Sequence, residues 1–445
     1  MRTFSRDDGF SLTELMVATA VMLLVMGSAL TTVRNAVMVN DSASQLADAN
    51  QNLRAGTNTL IRDMLMAGRI IGSEGVSVPG GQTFNRPGPP CTGTCPTLTF
   101  DLISSDDPND PTKQMPSITA GYQQGPTING SATDIVTILT VDEFMPIVTT
   151  PPLNPSAPTA AEGTISADGR KVTFASNSLW INGDASNPVT NPNGADTPKI
   201  QIGDLVFFKG QFGSALQVVT AKDATSITMS PGTSYDWFNF NPAGSSATDA
   251  ANKPLYQIKQ IGLTPAASLT WPPGATAAPP GMCYQQAPSP TTPFCAQVTL
   301  FKAAMITYYV DNTDPTTPRL TRQLNHMPPG CTTASPPSDS CPAKFQPQAL
   351  AGIVEDLDLT YDVDDDTCNP TAVTFSRSVA WTITCGSPST TITYTENMIR
   401  KVNLHIGVRS ETKSKPADDY VRNHISTSVN VRSLTAKDRY NTQAQ

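Results

Sequence analysis

Between Phe10 and Val33 the chain runs for 24 residues with a single charge, Glu14. This stretch limits the possible folds more than any other. As a helix rising about 1.5 Å per residue it is about 36 Å long, enough to cross the hydrocarbon of a bilayer. A charge inside hydrocarbon is costly and marks a functional position. A cleavable secretory signal would be shorter and would end in a small-x-small site. A plain membrane anchor would carry no carboxylate. Arg2, Arg6 and the α-amine outweigh Asp7 and Asp8 ahead of the run, which sets its orientation.

The helical pattern continues past the apolar run. Leu46, Leu53, Leu60, Ile61, Met64 and Leu65 recur at helical spacing, with Asp48, Gln51, Arg54 and Arg62 between them. No proline falls between Phe10 and Val78, and the first helix breakers are Gly68 and Gly72. The spacing predicts a helix from Phe10 to about Ala67, roughly 87 Å long. Beyond it the chain changes character. Proline makes up 39 of 445 residues and charged residues only 15%, which excludes a helical bundle and a doubly wound α/β enzyme. A net charge of -8 without a basic tail argues against nucleic acid as a partner.

The residues Gly9-Phe10-Ser11-Leu12-Thr13-Glu14-Leu15-Met16-Val17-Ala18 resemble the class III signal of type IV pilins and type II secretion pseudopilins. The resemblance implies that a prepilin peptidase cuts between Gly9 and Phe10 and methylates the Phe10 amine. Glu14 then becomes the fifth residue of the mature chain. In an assembly its carboxylate would pair with the Phe10 amine of a neighbour and fix register between helices. The position where the family's major subunits often carry a helix-kinking proline is Thr31 here, so a straighter helix is expected. Residues 61–68 are similar to the helix end of PilW-like minor pilins. The series Tyr308-Tyr309-Val310, Leu320-Thr321-Arg322, Ile353-Val354-Glu355-Asp356-Leu357 and Val408-Arg409-Ser410 resembles the same group and the related J pseudopilins.

The expected fold is α+β, a long N-terminal helix packed on an antiparallel β-sheet head that is loop-rich and disulfide-stapled. The expected divisions are a leader over 1–9 and the pilin helix over 10–72, with 10–33 in the membrane. A first β part follows over 73–198, a small inserted β unit over 199–230, Pro/Gly-rich loops over 231–296 and a C-terminal sheet over 297–445. Strands are predicted at Thr97–Ile103, Asp134–Val141, Leu205–Lys209, Ala215–Val219, Ser226–Met229, Met398–Arg409 and His424–Leu434, with a hairpin-like pair of Ala304–Asp311 and Arg319–Arg322 and a turn-plus-strand over Ile353–Tyr361; the turns within 199–230 are expected at Gly210, Gly213 and Lys222-Asp223.

Eight cysteines lie beyond residue 90: Cys91, Cys95, Cys283, Cys295, Cys331, Cys341, Cys368 and Cys385. An even number in Pro/Thr/Ser loops reads as disulfides in an oxidising compartment. Eight cysteines allow 105 connectivities; neighbour pairing, 91–95, 283–295, 331–341 and 368–385, is the expectation. The rival is zinc, for which only Cys91 and Cys95 have suitable spacing. Asp362, Asp364 and Asp366 have the alternation of a calcium loop, but Thr367 replaces its turn glycine and Val373 its bidentate glutamate. They read as a solvated turn and a weak calcium candidate. Tyr235, Trp237, Phe238 and Phe240 read as core packing rather than a sticky loop.

The three histidines, His326, His405 and His424, fall outside any catalytic motif, and no G-x-S-x-G, H-E-x-x-H or phosphate-binding loop occurs. No enzyme and no cofactor are expected. The expected function is that of a minor pilin that primes a type IV pilus at its tip. A type II secretion pseudopilin and a tip adhesin on a pilin helix are the alternatives. The expected partners are other minor pilins, the major pilin, the prepilin peptidase, an inner-membrane assembly platform and membrane lipid. The protein would reside in a bacterial inner membrane with its head in the periplasm, and then at the pilus tip.

Overall fold

The computed structural model describes residues 11–71, 75–77, 83–88, 99–101, 114–149, 163–165, 171–174, 200–210, 213–223, 225–229, 238, 283–284, 294–295, 298–325, 345–363, 368, 370–375, 381–385, 389–414 and 419–431. Helix α1 (Leu12–Met66) runs for 55 residues without interruption. Thr31 stands inside it, where a proline would have removed a backbone donor. Ala67 ends the helix, and Gly68 turns the chain at φ 69°. That left-handed conformation costs glycine nothing and most other residues something. The Gly68 N–H donates to the Leu139 carbonyl at 3.1 Å, which pins the helix end to the sheet.

The sheet contains β1 (Ile118–Gly121), β2 (Ile135–Thr149), β3 (Leu205–Gly210), β4 (Gly213–Val218), β5 (Val298–Asp311), β6 (Arg319–Leu324), β7 (Gln348–Val363), β8 (Ile399–Ser414) and β9 (Asp419–Asn430). Its order is β4-β3-β5-β6-β7-β8-β9, with β2 on the other edge of β5 and β1 on β2. All these pairings are antiparallel. The α+β architecture is therefore observed, and several strands run longer than their alternation predicts. The strand expected over Asp134–Val141 continues to Thr149, because β5 supplies partners along its whole length.

β5 organises the sheet. One edge is taken by β2 from Val298 to Tyr308. The other is shared in turn by β3, at Thr299–Ala303, and β6, at Ile306–Asp311. At the change-over the Asn325 side chain accepts the Met305 N–H at 2.9 Å, and the Asn325 N–H donates to the Met305 carbonyl at 2.8 Å. Residues 199–230 are divided between two sheets. β3 and β4 join the main sheet, whereas Ala221–Lys222 pairs with Ser226–Thr228, which pairs with Lys171–Phe174, which in turn pairs with Gly163–Ile165, in a separate four-stranded sheet.

Two apolar clusters fill the head. The larger lies between α1 and the sheet and includes Leu53, Leu60, Met64, Ile306, Tyr308, Leu357, Leu404 and Ile406. The second joins Met115, Leu139, Leu205, Phe207, Leu216, Phe238 and Met305. Asp134 is a buried carboxylate at the start of β2. It accepts the N–H of Gln123 and that of Leu359, both at 2.7 Å, and so ties the β1–β2 turn to β7. Burial is the largest effect on its carboxyl and pushes it up to about 6.

Candidate functional site

The outer half of α1 is apolar and uncovered. Residues 11–37 are all exposed, among them Leu12 at 76% and Leu24 at 74%. The most apolar 18-residue window reaches a mean hydropathy of 2.0 with none of it buried, long and apolar enough to cross a membrane. Its few hydroxyls are satisfied internally. Those of Thr19, Ser28, Thr31 and Thr32 donate to the carbonyls of Met16, Val25, Gly27 and Ser28, at 2.8–3.0 Å. This segment therefore presents lipid or a neighbouring helix with no unpaired side-chain hydroxyl at those four positions.

Glu14 sits in the first turn. Ser11 is the N-cap: its N–H donates to Glu14 Oε2 at 3.0 Å, and the Glu14 N–H donates to Ser11 Oγ at 3.2 Å. This reciprocal pair satisfies two of the donors that a helix start leaves open. It places the carboxylate at the positive end of the helix dipole. Gly9 and Phe10 lie outside the described residues. By sequence, a cut after Gly9 leaves the new amine on the residue before Ser11, one turn from Glu14.

The inner half of α1 is a docking surface. Leu53, Gly56, Thr57, Leu60, Asp63 and Met64 are buried, the spacing of one helix face. Leu46 and Leu65, expected on this stripe, are 37% and 40% exposed. Leu65 lies five residues beyond Leu60 and therefore points to another side. At Gly56 a Cβ would stand 2.9 Å from the Ala351 Cβ and 3.3 Å from Leu320, so glycine sets the close approach of helix to sheet. Farther out, Gln45 donates to Thr412 at 2.9 Å and Asn423 donates to Asn50.

Within that face Asp63 is the one charged residue among the buried helix positions. Its Oδ2 accepts Arg322 Nε at 2.7 Å and the Tyr308 hydroxyl at 2.7 Å. Burial first, then the Asp63 charge, pushes the Tyr308 phenol well above its usual range, so it remains a donor. Sequence reasoning missed this group. Its signal was a carboxylate within the stripe, three residues after Leu60.

The remaining candidates separate by location. Cys368 and Cys385 form a disulfide with a Cα–Cα distance of 6.0 Å. Cys283 and Cys295 are backbone partners in a two-strand ladder. Cys91, Cys95, Cys331 and Cys341 lie outside the described residues. Asp362 accepts from the Ala372 N–H and Asn403 Nδ2, both at 2.9 Å, and pairs with Lys401 Nζ at 3.0 Å. Those donors fasten the loop after β7; Asp364 and Asp366 lie outside the described residues. Phe238 is buried at 1% in the second cluster, while Tyr235, Trp237 and Phe240 lie outside, as does His326. His405 and His424 stand on neighbouring strands with ring centroids 5.3 Å apart.

Residues 4–30 match the family described as the prokaryotic N-terminal methylation motif. Comparison with curated proteins and with solved structures finds no match. The matched segment spans the Gly9-Phe10 junction, Glu14 and most of the uncovered part of α1. The N-terminus is thus a prepilin-like class III signal, and the chain is similar there to type IV pilins and pseudopilins.

Proposed function

We propose that the protein is a non-enzymatic minor pilin that takes part in assembling a type IV pilus and sits at its tip. The observation that carries this reading is the uncovered apolar half of α1 with a lone carboxylate in its first turn. The head leaves that half bare, so its burial must come from lipid or from the helices of other subunits. In the membrane the segment over 10–33 holds the protein with its head in the periplasm. In the fibre Glu14 meets the methylated Phe10 amine of a neighbour. Prepilin peptidase removes residues 1–9, and other minor pilins and the major pilin are the partners.

Bulk supports the tip. About 370 residues follow the helix, and a compact body of that size has a radius of gyration near 21 Å. Repeated at every wall position it would crowd its neighbours, whereas at the tip nothing lies above it. The remaining neighbour cysteine pairs, 91–95, 283–295 and 331–341, follow the arrangement of Cys368 and Cys385. Intact-mass analysis of membrane-extracted protein tests the processing step. A mature chain beginning at methylated Phe10 is expected, and a start beyond Val33 would overturn the reading. Antibody against the head should label fibre ends; uniform labelling of the shaft would remove the tip assignment.

A further inference from the structure

The face of β7, β8 and β9 turned away from α1 holds a second group of side chains. Two rungs cross these strands in register: Asp356, Gly407 and His424, then Asp358, His405 and Ser426. Neither rung contains a lysine or arginine. Gly407 has no side chain in the middle of the first rung, and Asp356 packs close against it, so that an added Cβ would stand 3.0 Å from the Asp356 Cβ. His405 reaches toward Asp356 from the second rung. Its Nε2 is 3.6 Å from Asp356 Oδ2, and its ring lies 5.3 Å from that of His424. His405 Nδ1 stands 2.8 Å from Ser426 Oγ. The tautomer that donates from Nδ1 to that hydroxyl leaves the Nε2 lone pair available to an ion.

We propose that this face is a binding site for a divalent transition ion of the zinc class, with His405, His424 and Asp356 as ligands and Asp358 beside them. Two imidazoles and a carboxylate are a donor set suited to that ion, with bonds of about 2.0–2.2 Å. Two donors on one tetrahedral ion then stand roughly 3.3–3.5 Å apart, close to the 3.6 Å between His405 and Asp356. As the side chains stand, no group of three such donors among the described residues could hold an ion; the proposed site forms only when the exposed His424 side chain rotates toward His405 and Asp356. The side chains of His405 and Asp356 are 38% and 35% exposed, which leaves the ion a path from solvent. Ser426 acts as a positioning residue that fixes the His405 tautomer. A bound ion would also join β8 to the edge strand β9 through side chains as well as backbone.

Zinc chloride alone, titrated by calorimetry into the metal-free, detergent-solubilised full chain near pH 7, tests the site. Saturable binding of one ion per chain is expected, with a rise in thermal midpoint as zinc increases. His405→Ala and His424→Ala should each weaken binding by roughly tenfold or more, and Ser426→Ala by roughly tenfold. The altered side chains lie on an open face, so unchanged thermal midpoints in chelator serve as the folding check. Asp356→Asn, nearly identical in shape, is the second variant and should also lose affinity. Absence of saturable binding up to about 1 mM zinc would overturn the proposal. So would binding that survives the double histidine variant, or that disappears instead in His326→Ala.

Discussion

Two of the carboxylates on α1 stand in opposite circumstances. Asp63, in the inner half, is buried and held by Arg322 and Tyr308. Glu14, in the outer half, is exposed and touches only its own helix start. The apolar residues around them differ in the same way: Leu60 and Met64 are wholly buried, while Leu23 and Leu24 are 70% and 74% exposed. The inner half is finished within this chain, and its charge has found its partner there. The outer half is left uncovered by the rest of the chain, and in the proposed assembly its burial and its ion pair would come from other subunits. The carboxylate on the inner face marks a docking surface within the chain, and the proposed function gives Glu14 the same part between chains.

The contrast can be broken most severely at Asp63. Asp63→Ala leaves Arg322 and the Tyr308 hydroxyl without their acceptor in a poorly hydrated interface. Loss of a buried pair's partner costs about 3–5 kcal/mol, and a urea midpoint lowered to match is expected for the detergent-solubilised chain. A midpoint close to that of the unaltered protein would show that the ion pair does not hold the helix to the head.

A second test uses pH on the head alone. The Asp134 carboxyl is pushed up to about 6 from 3.8, so the folded state holds its proton more tightly than the unfolded chain. Its contribution is full below pH 4 and is lost as pH rises through 6, a decline of about 2–3 kcal/mol. Comparing unfolding of the unaltered chain and Asp134→Asn between pH 4 and 7 isolates it; parallel profiles would remove the assignment. The outer half of α1 has no part in this dependence.

Crowding the helix–sheet contact comes next. Gly56→Val places methyl groups where a single Cβ already meets Ala351 at 2.9 Å. A loss of about 1–3 kcal/mol is expected from overpacking, read in the same unfolding experiment. Gly27, in the outer half, has nothing within 4 Å of an added Cβ, so Gly27→Val should leave the head's midpoint in place. The smallest effect on folding belongs to Glu14→Ala, which should not move the urea midpoint of the head, yet should abolish incorporation into fibres. Fibres that incorporate the variant normally would show that Glu14 has no role between subunits.

Much of the helix was legible because its signals are local. The apolar run, the absence of proline and the glycine at the helix end gave α1 to within two residues at either end. Glu14 stood out because no other charge lies near it. Asp63 did not, although it is the same kind of exception, because Asp48, Arg54 and Arg62 surround it in sequence and its partners lie 245 and 259 residues away. The same distance hid the sheet order. Alternation located β3, β6, β7 and β8, and the short connection between β5 and β6 showed that they pair as a hairpin, but nothing local to β3 indicates that it takes the rest of that edge of β5. The division of 199–230 between two sheets was hidden for that reason too. Its turns were readable from glycine and Lys222-Asp223, whereas its partners were not.

The position of β5 has a consequence for how the protein is made. Chains emerge from the ribosome at about 5–20 residues per second. β2 ends at Thr149 and β5 begins at Val298, so one edge of β2 waits roughly 7–30 s for its partner at those rates. β3 also waits, and α1 longer still, because β9 arrives at Asp419–Asn430. Throughout synthesis the apolar face of Leu53, Leu60 and Met64 is therefore available to any holdase that recognises nascent chains. The helix is the first element made and the last to be covered.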